Sequence, residues 1–124
     1  MEFLKCRHCG NVVTKLYDSS VRIVCCGEEM GDLIPNTVDA AKEKHVPVLS
    51  LNGNILTVTV GSVPHPMTAP HYIVFIAVDN GGVETIVPLD FSKGAAVATV
   101  TVDPKKPITA YEYCNLHGLW SAKL

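Results

Sequence analysis

The sequence predicts a mostly β protein in two parts, a small cysteine-bound lobe followed by an antiparallel β-sandwich. Three observations predict it. Four of the five cysteines, Cys6, Cys9, Cys25 and Cys26, fall within the first 26 residues. From residue 48 onward, short apolar runs rich in β-branched residues are separated by Gly, Pro and Asn turns. The chain beyond the first cysteine cluster also holds the fifth cysteine, Cys114, and four of the five histidines, His45, His65, His71 and His117.

The elements follow in chain order. Residues 11–17 and 21–24 read as short strands around a turn at Asp18, Ser19 and Ser20. Gly10 and Gly27 each follow a cysteine pair, where a tight turn needs positive φ. So short a segment cannot bury enough apolar area to fold unaided; a structural metal would supply on the order of 10 kcal/mol if zinc-finger peptides are a guide. Residues 32–47 read as a connector. Asn36 or Thr37 is the expected cap of a short helix through residues 39–42, and Pro47 drives Val46 extended, so the helix should stop around His45. The expected domains are residues 1–36 and 37–124. Residues 48–51 and 55–60 flank Asn52-Gly53 and form a hairpin. Residues 71–79 make a nearly continuous apolar strand suited to the middle of a sheet. Residues 83–87, 95–102, 108–113 and 119–124 bring the total to about seven strands, which predicts a two-sheet antiparallel sandwich of immunoglobulin-like type.

Composition narrows the function. Apolar residues make up 48% and charged residues 18%, a globular balance. The net charge of -2 argues against a nucleic-acid partner. The start of the chain shows no apolar core followed by a cleavage site, and residues 72–78, the longest apolar run, fall far short of the roughly 20 needed to span a bilayer. The expectation is a cytoplasmic protein with no membrane partner. Thiols stay reduced in that compartment, so the clustered cysteines read as metal ligands.

The first cluster has the spacing Cys6-x2-Cys9, fifteen residues, then Cys25-Cys26. Four thiolates in a tetrahedron suit zinc or a single iron, and the adjacent pair should distort it. A vicinal disulfide at Cys25-Cys26, or a purely structural zinc, fits the same spacing. His8 reads as a surface residue because four thiolates already complete a shell. In the second cluster Cys114-x2-His117 places a thiolate and an imidazole on one turn. His65 and His71 flank a loop stiffened by Pro64, Pro66 and Pro70, and His45 ends the connector. Five such ligands exceed the four that zinc prefers. Four imidazoles in a plane with a thiolate beneath leave a sixth position vacant, which iron(II) accepts. The axial thiolate then donates electron density to the metal, as in thiolate-ligated haem. Lys44 beside His45 would draw in a small anion, and Glu43 could occupy the vacant position.

Cys6-x2-Cys9 with Cys25-Cys26 resembles the desulforedoxin module. Glu43-Lys44-His45-Val46-Pro47, His65, His71 and Cys114-x2-His117 resemble the active site of the superoxide reductases. Together they resemble desulfoferrodoxin, the two-iron superoxide reductase family, over the whole chain. The resemblance implies two irons per chain. One is a rubredoxin-like electron-transfer centre on Cys6, Cys9, Cys25 and Cys26, not strictly required for the reaction. The other is held by His45, His65, His71 and His117 with Cys114 axial, and reduces superoxide to hydrogen peroxide. Lys44 would attract superoxide and help to organise proton delivery, and Glu43 would bind the oxidised iron. The resemblance also implies a homodimer that takes electrons from rubredoxin or a similar donor. A non-catalytic two-iron electron carrier is the alternative, and a metal storage or sensor module a third reading. The vacant position and the Glu43-Lys44 pair favour the enzyme.

Overall fold

The first part of the chain is short and leaves Leu16, Tyr17, Val21, Val24 and Ile34 exposed, so its core is small. The computed structural model describes residues 1–124 and divides into two units, Met1–Ile34 and Pro35–Leu124. In the first unit Leu4, Cys6 and Met30 form the buried cluster, with Val13, Ile23 and Cys25 against it. Strands β1 (Phe3–Lys5), β2 (Val12–Thr14) and β5 (Gly31–Leu33) make an antiparallel sheet in the order β2-β1-β5, and β3 (Val24–Cys25) pairs with β4 (Glu28–Glu29). β1, β4 and β5 were not anticipated from the sequence. At two or three residues they are too short to show a period of two.

Asn36 belongs structurally to the second unit. Its backbone N–H donates to the Leu119 carbonyl at 3.0 Å, and its side chain accepts from the Ser121 N–H at 3.0 Å. It therefore caps no helix, contrary to expectation. The helix α1 is the single turn Lys42–His45, ending at His45 as Pro47 requires.

The rest of the second unit is the expected sandwich. Its strands are β6 (Pro47–Asn52), β7 (Ile55–Val60), β8 (Ile73–Asn80), β9 (Val83–Pro88), β10 (Val97–Thr101), β11 (Ile108–Cys114) and β12 (Gly118–Lys123). They form one sheet in the order β10-β7-β6 and another in the order β12-β11-β8-β9, with every pairing antiparallel. Alternation decides the faces: β7 turns Leu56, Val58 and Val60 into the core and leaves Thr57 and Thr59 half-buried. β11 turns in Ile108, Ala110 and Glu112. A register shift against β8 falls between Tyr113 and Cys114, at the end of the strand that carries the sulfur. No helix is long and apolar enough to cross a membrane.

Candidate metal centres

The first centre is built on two tight turns. Cys6 follows β1, and the turn after it closes through Gly10 N–H to the Cys6 carbonyl at 3.0 Å, which brings Cys9 back beside Cys6. Cys25 ends β3. Cys26 then takes φ 53 and Gly27 φ 76, so a left-handed bend lets two adjacent residues present their sulfurs to one point. All five cysteines are free thiols, which removes the vicinal-disulfide reading. The four sulfurs of Cys6, Cys9, Cys25 and Cys26 lie within 4.8 Å of one another. The N–H groups of His8 and Cys9 donate to Cys6 Sγ at 3.4 and 3.5 Å. Asn11 serves two sulfurs, its backbone N–H donating to Cys9 Sγ at 3.5 Å and its side-chain Nδ2 to Cys25 Sγ at 3.7 Å. The Cys9 backbone N–H is the largest influence lowering Cys6, to about 6. Hydrogen bonds among the sulfurs, from Cys9 first, push Cys26 up to about 12. Four thiols so close cannot all lose protons without a cation among them, and a bound metal supplies it. His8 turns away to the Glu28 carboxylate at 2.5 Å, shared with Arg7 at 2.6 Å, and so stays outside the ligand set.

The second centre draws on four separate pieces of the unit. The His45 Nδ1–H donates to the Ala41 carbonyl at 2.7 Å, and the His65 Nδ1–H to the Pro66 carbonyl at 2.7 Å. A carbonyl can only accept, so both rings carry their proton on Nδ1 and offer a lone pair at Nε2. Those two Nε2 atoms face each other at 3.2 Å with no proton between them. His117 Nδ1 stands 3.2 Å from His45 Nε2. Cys114 Sγ, fully buried, lies 3.5 Å from His65 Nε2 and 3.8 Å from His117 Nδ1. His71 Nε2 is buried with no hydrogen-bond partner. The rings form a quadrilateral in the order His45, His65, His71, His117, with sides of 4.8, 4.6, 5.1 and 4.9 Å between centroids and a His45–His71 diagonal of 6.4 Å. Each ring stands nearly perpendicular to its neighbours, at 72 to 83°.

Facing lone pairs and an orphaned buried nitrogen repel one another unless a cation lies among them. The donor set of four imidazole nitrogens and one sulfur fits iron. Burial is the main cause that depresses His45 and His71, and it holds His65 down to about 4. Burial raises Cys114, against the pull of the Leu116 and His117 amides. Each of these neutral imidazoles is ready to bind metal at neutral pH.

Two residues here escaped the sequence reading. Trp120, almost fully buried, stacks on His45 at 5.1 Å and 23°, and its Nε1–H donates to the His117 carbonyl at 3.1 Å. It therefore touches two ligands that lie 72 residues apart in the chain. Glu112 is fully buried with both carboxyl oxygens unpartnered, and burial pushes it up to about 9, so it is held neutral. Its place two residues before Cys114 in an inward-facing alternation was the available signal.

These groups set the pH response of the metal-free chain. His45, His65 and His71 are lowered on folding, so their contribution is present above about 6.5 and is lost as pH falls, for His65 through about 4. Glu112 is raised, so its contribution is present below about 4.5 and is lost as pH rises toward about 9. The thermal midpoint of metal-free protein should peak near neutral pH and fall on both sides. Trp120, the only tryptophan, reports this unit by fluorescence. A midpoint that climbs steadily from pH 5 to pH 9 would contradict these protonation states.

The family model for desulfoferrodoxin matches residues 37–123. The desulfoferrodoxin of Syntrophotalea carbinolica is 44% identical across 99% of this chain and 96% of its own length. That of Nitratidesulfovibrio vulgaris is 44% identical across 98% and 95%. Among solved structures, the superoxide reductase from Treponema pallidum superposes with a TM-score of 0.77 at 35% identity, covering 97% of this chain and 98% of that one. The one-iron superoxide reductase from Giardia intestinalis gives a TM-score of 0.60 at 35% identity, covering 67% of this chain and 98% of its own. With a four-sulfur site in its first unit and a four-histidine, one-cysteine site in its sandwich, both fitted to iron, the chain belongs to the desulfoferrodoxin family.

Proposed function

We propose that this protein is a superoxide reductase, which reduces superoxide by one electron to hydrogen peroxide, with an external donor restoring the electron. The observation that carries the reading is the cage of four imidazoles around a buried cysteine sulfur, with the lone pairs of His45 and His65 facing each other and Glu43 and Lys44 exposed beside His45. Iron bound there would supply the electron, and His45, His65, His71, His117 and Cys114 are the residues that would hold it. Cys6, Cys9, Cys25 and Cys26 would hold the second, rubredoxin-like iron, which would supply electron transfer. Residues 1–36 and 37–124 are proposed as the corresponding functional domains.

Lys44 raises the local concentration of the anionic substrate. Its charge is felt at both His45 and His71, where it opposes protonation, while Glu43 acts on His45 in the opposite sense. Making hydrogen peroxide from superoxide takes one electron and two protons. Lys44, exposed to water, helps to organise their delivery. Glu43 is the carboxylate that would bind the oxidised iron. The reading also includes a homodimer in the cytoplasm, with rubredoxin or a similar carrier as donor.

The first test is to mix reduced protein with superoxide and count peroxide formed per iron oxidised. The reading requires one peroxide and no dioxygen; no reaction would favour the non-catalytic electron carrier. Lys44→Ala should slow the bimolecular step by roughly tenfold and flatten its salt dependence while both irons stay bound. A rate equal to that of the unsubstituted protein would remove Lys44 from the mechanism.

A further inference from the structure

The helix α1 is too short to hold its own shape. It is one turn long, its Ala41 cap lends no side-chain hydrogen bond, and Lys42, Glu43 and Lys44 are exposed. A single turn is unfavourable in isolation, because several dihedral angles are fixed for one hydrogen bond. Yet this turn carries Glu43 and Lys44, and something outside it must fix their position.

The outside support is the turn that follows β7. Gly61 N–H donates to the Val46 carbonyl at 3.2 Å. Val63 N–H and Ser62 Oγ–H both donate to the Glu43 carbonyl, at 2.9 and 3.3 Å. That carbonyl belongs to the peptide plane joining Glu43 to Lys44. Holding it with two donors fixes the plane and the two Cα positions from which the side chains leave. Gly61 makes the approach possible. It adopts φ +79, and a Cβ there would lie 2.5 Å from the Val63 carbonyl oxygen, 2.7 Å from the Glu43 carbonyl oxygen and 2.8 Å from the Lys44 carbonyl carbon. All three are backbone atoms, so no side chain fits without separating the two segments.

We propose that Gly61, Ser62 and Val63 form a clasp that positions Glu43 and Lys44, with Gly61 as the residue that sets the distance. The proposal rests on the roles given above to Glu43 and Lys44. The ligand His45 has two supports beyond the clasp, the Ala41 carbonyl and the Trp120 ring. Loosening the clasp should therefore displace Glu43 and Lys44 more than the metal ligand beside them.

The test uses iron-loaded Gly61→Ala, Ser62→Ala and Ser62→Thr. Iron content and the visible spectrum read the ligands; hydrogen exchange of the two donor amides, at positions 61 and 63, reads the clasp; the rate with superoxide and its salt dependence read the positioning. Gly61→Ala should keep both irons, exchange those amides about tenfold faster or more, and react more slowly with a flatter salt dependence. Ser62→Ala should shift the same readouts in the same direction by less, and Ser62→Thr should restore them. Unchanged exchange in Gly61→Ala overturns the proposal, and so does faster exchange with an unchanged rate. If Gly61→Ala fails to fold, the Ser62 pair decides: loss with alanine and recovery with threonine supports the clasp, and no difference overturns it. If the unsubstituted protein does not react with superoxide, the functional reading falls instead, and amide exchange at positions 61 and 63 alone decides whether the clasp exists.

Discussion

Replacing Cys114 by serine should abolish the reaction with superoxide and remove any sulfur-to-iron charge-transfer absorption from the sandwich centre. Cys114 is the only sulfur in this ligand set and is fully buried, so no outside group can take its place. A serine oxygen keeps the shape but loses the electron density that a thiolate donates to the metal. Removing a partner outside the ligand shell of a metal site already costs roughly 10–100-fold in affinity or activity, and losing a ligand should exceed that. Histidine ligands should retain some iron in the variant, so the spectrum separates loss of sulfur from loss of metal. An unchanged visible spectrum and an unchanged rate in stopped-flow mixing would refute the assignment of Cys114.

Stripping metal from the first centre, through the paired change Cys9→Ser and Cys26→Ser, should unfold residues 1–34 and spare the sandwich. The buried cluster there is Leu4, Cys6 and Met30, and one of those three is itself a ligand. Metal binding on the order of 10 kcal/mol, the scale of structural zinc sites, far exceeds what so small a cluster supplies. Amide protection should vanish across residues 1–34, while the melting transition reported by Trp120 stays near its unsubstituted value. If residues 1–34 remain protected in the metal-free variant, the first unit folds on its own core and the metal there is not structural.

Legibility varied along the chain for identifiable reasons. β7 could be read directly, because Ile55, Thr57 and Thr59 alternate with Leu56, Val58 and Val60 over six residues. β4 could not, because two glutamates carry no period. Asn36 has the side chain of a helix cap, but its amide is engaged by Ser121, 85 residues away, a pairing that local propensity cannot see. Nothing in the local sequence marks Gly61; its significance appears only when the Glu43 carbonyl lies against it.

By itself the sequence determined which side chains could bind metal and in what numbers. Few residue types ligate iron, and turns such as Cys6-x2-Cys9 and Cys114-x2-His117 bring their ligands together by local geometry alone. Tertiary structure alone decided the order of the four rings, the seating of Trp120 against His45 and His117, the burial of Glu112 and the tie between Gly61 and Glu43. Those relations depend on how strands distant in sequence pack, and packing is set by the whole core at once and not by any single stretch of chain.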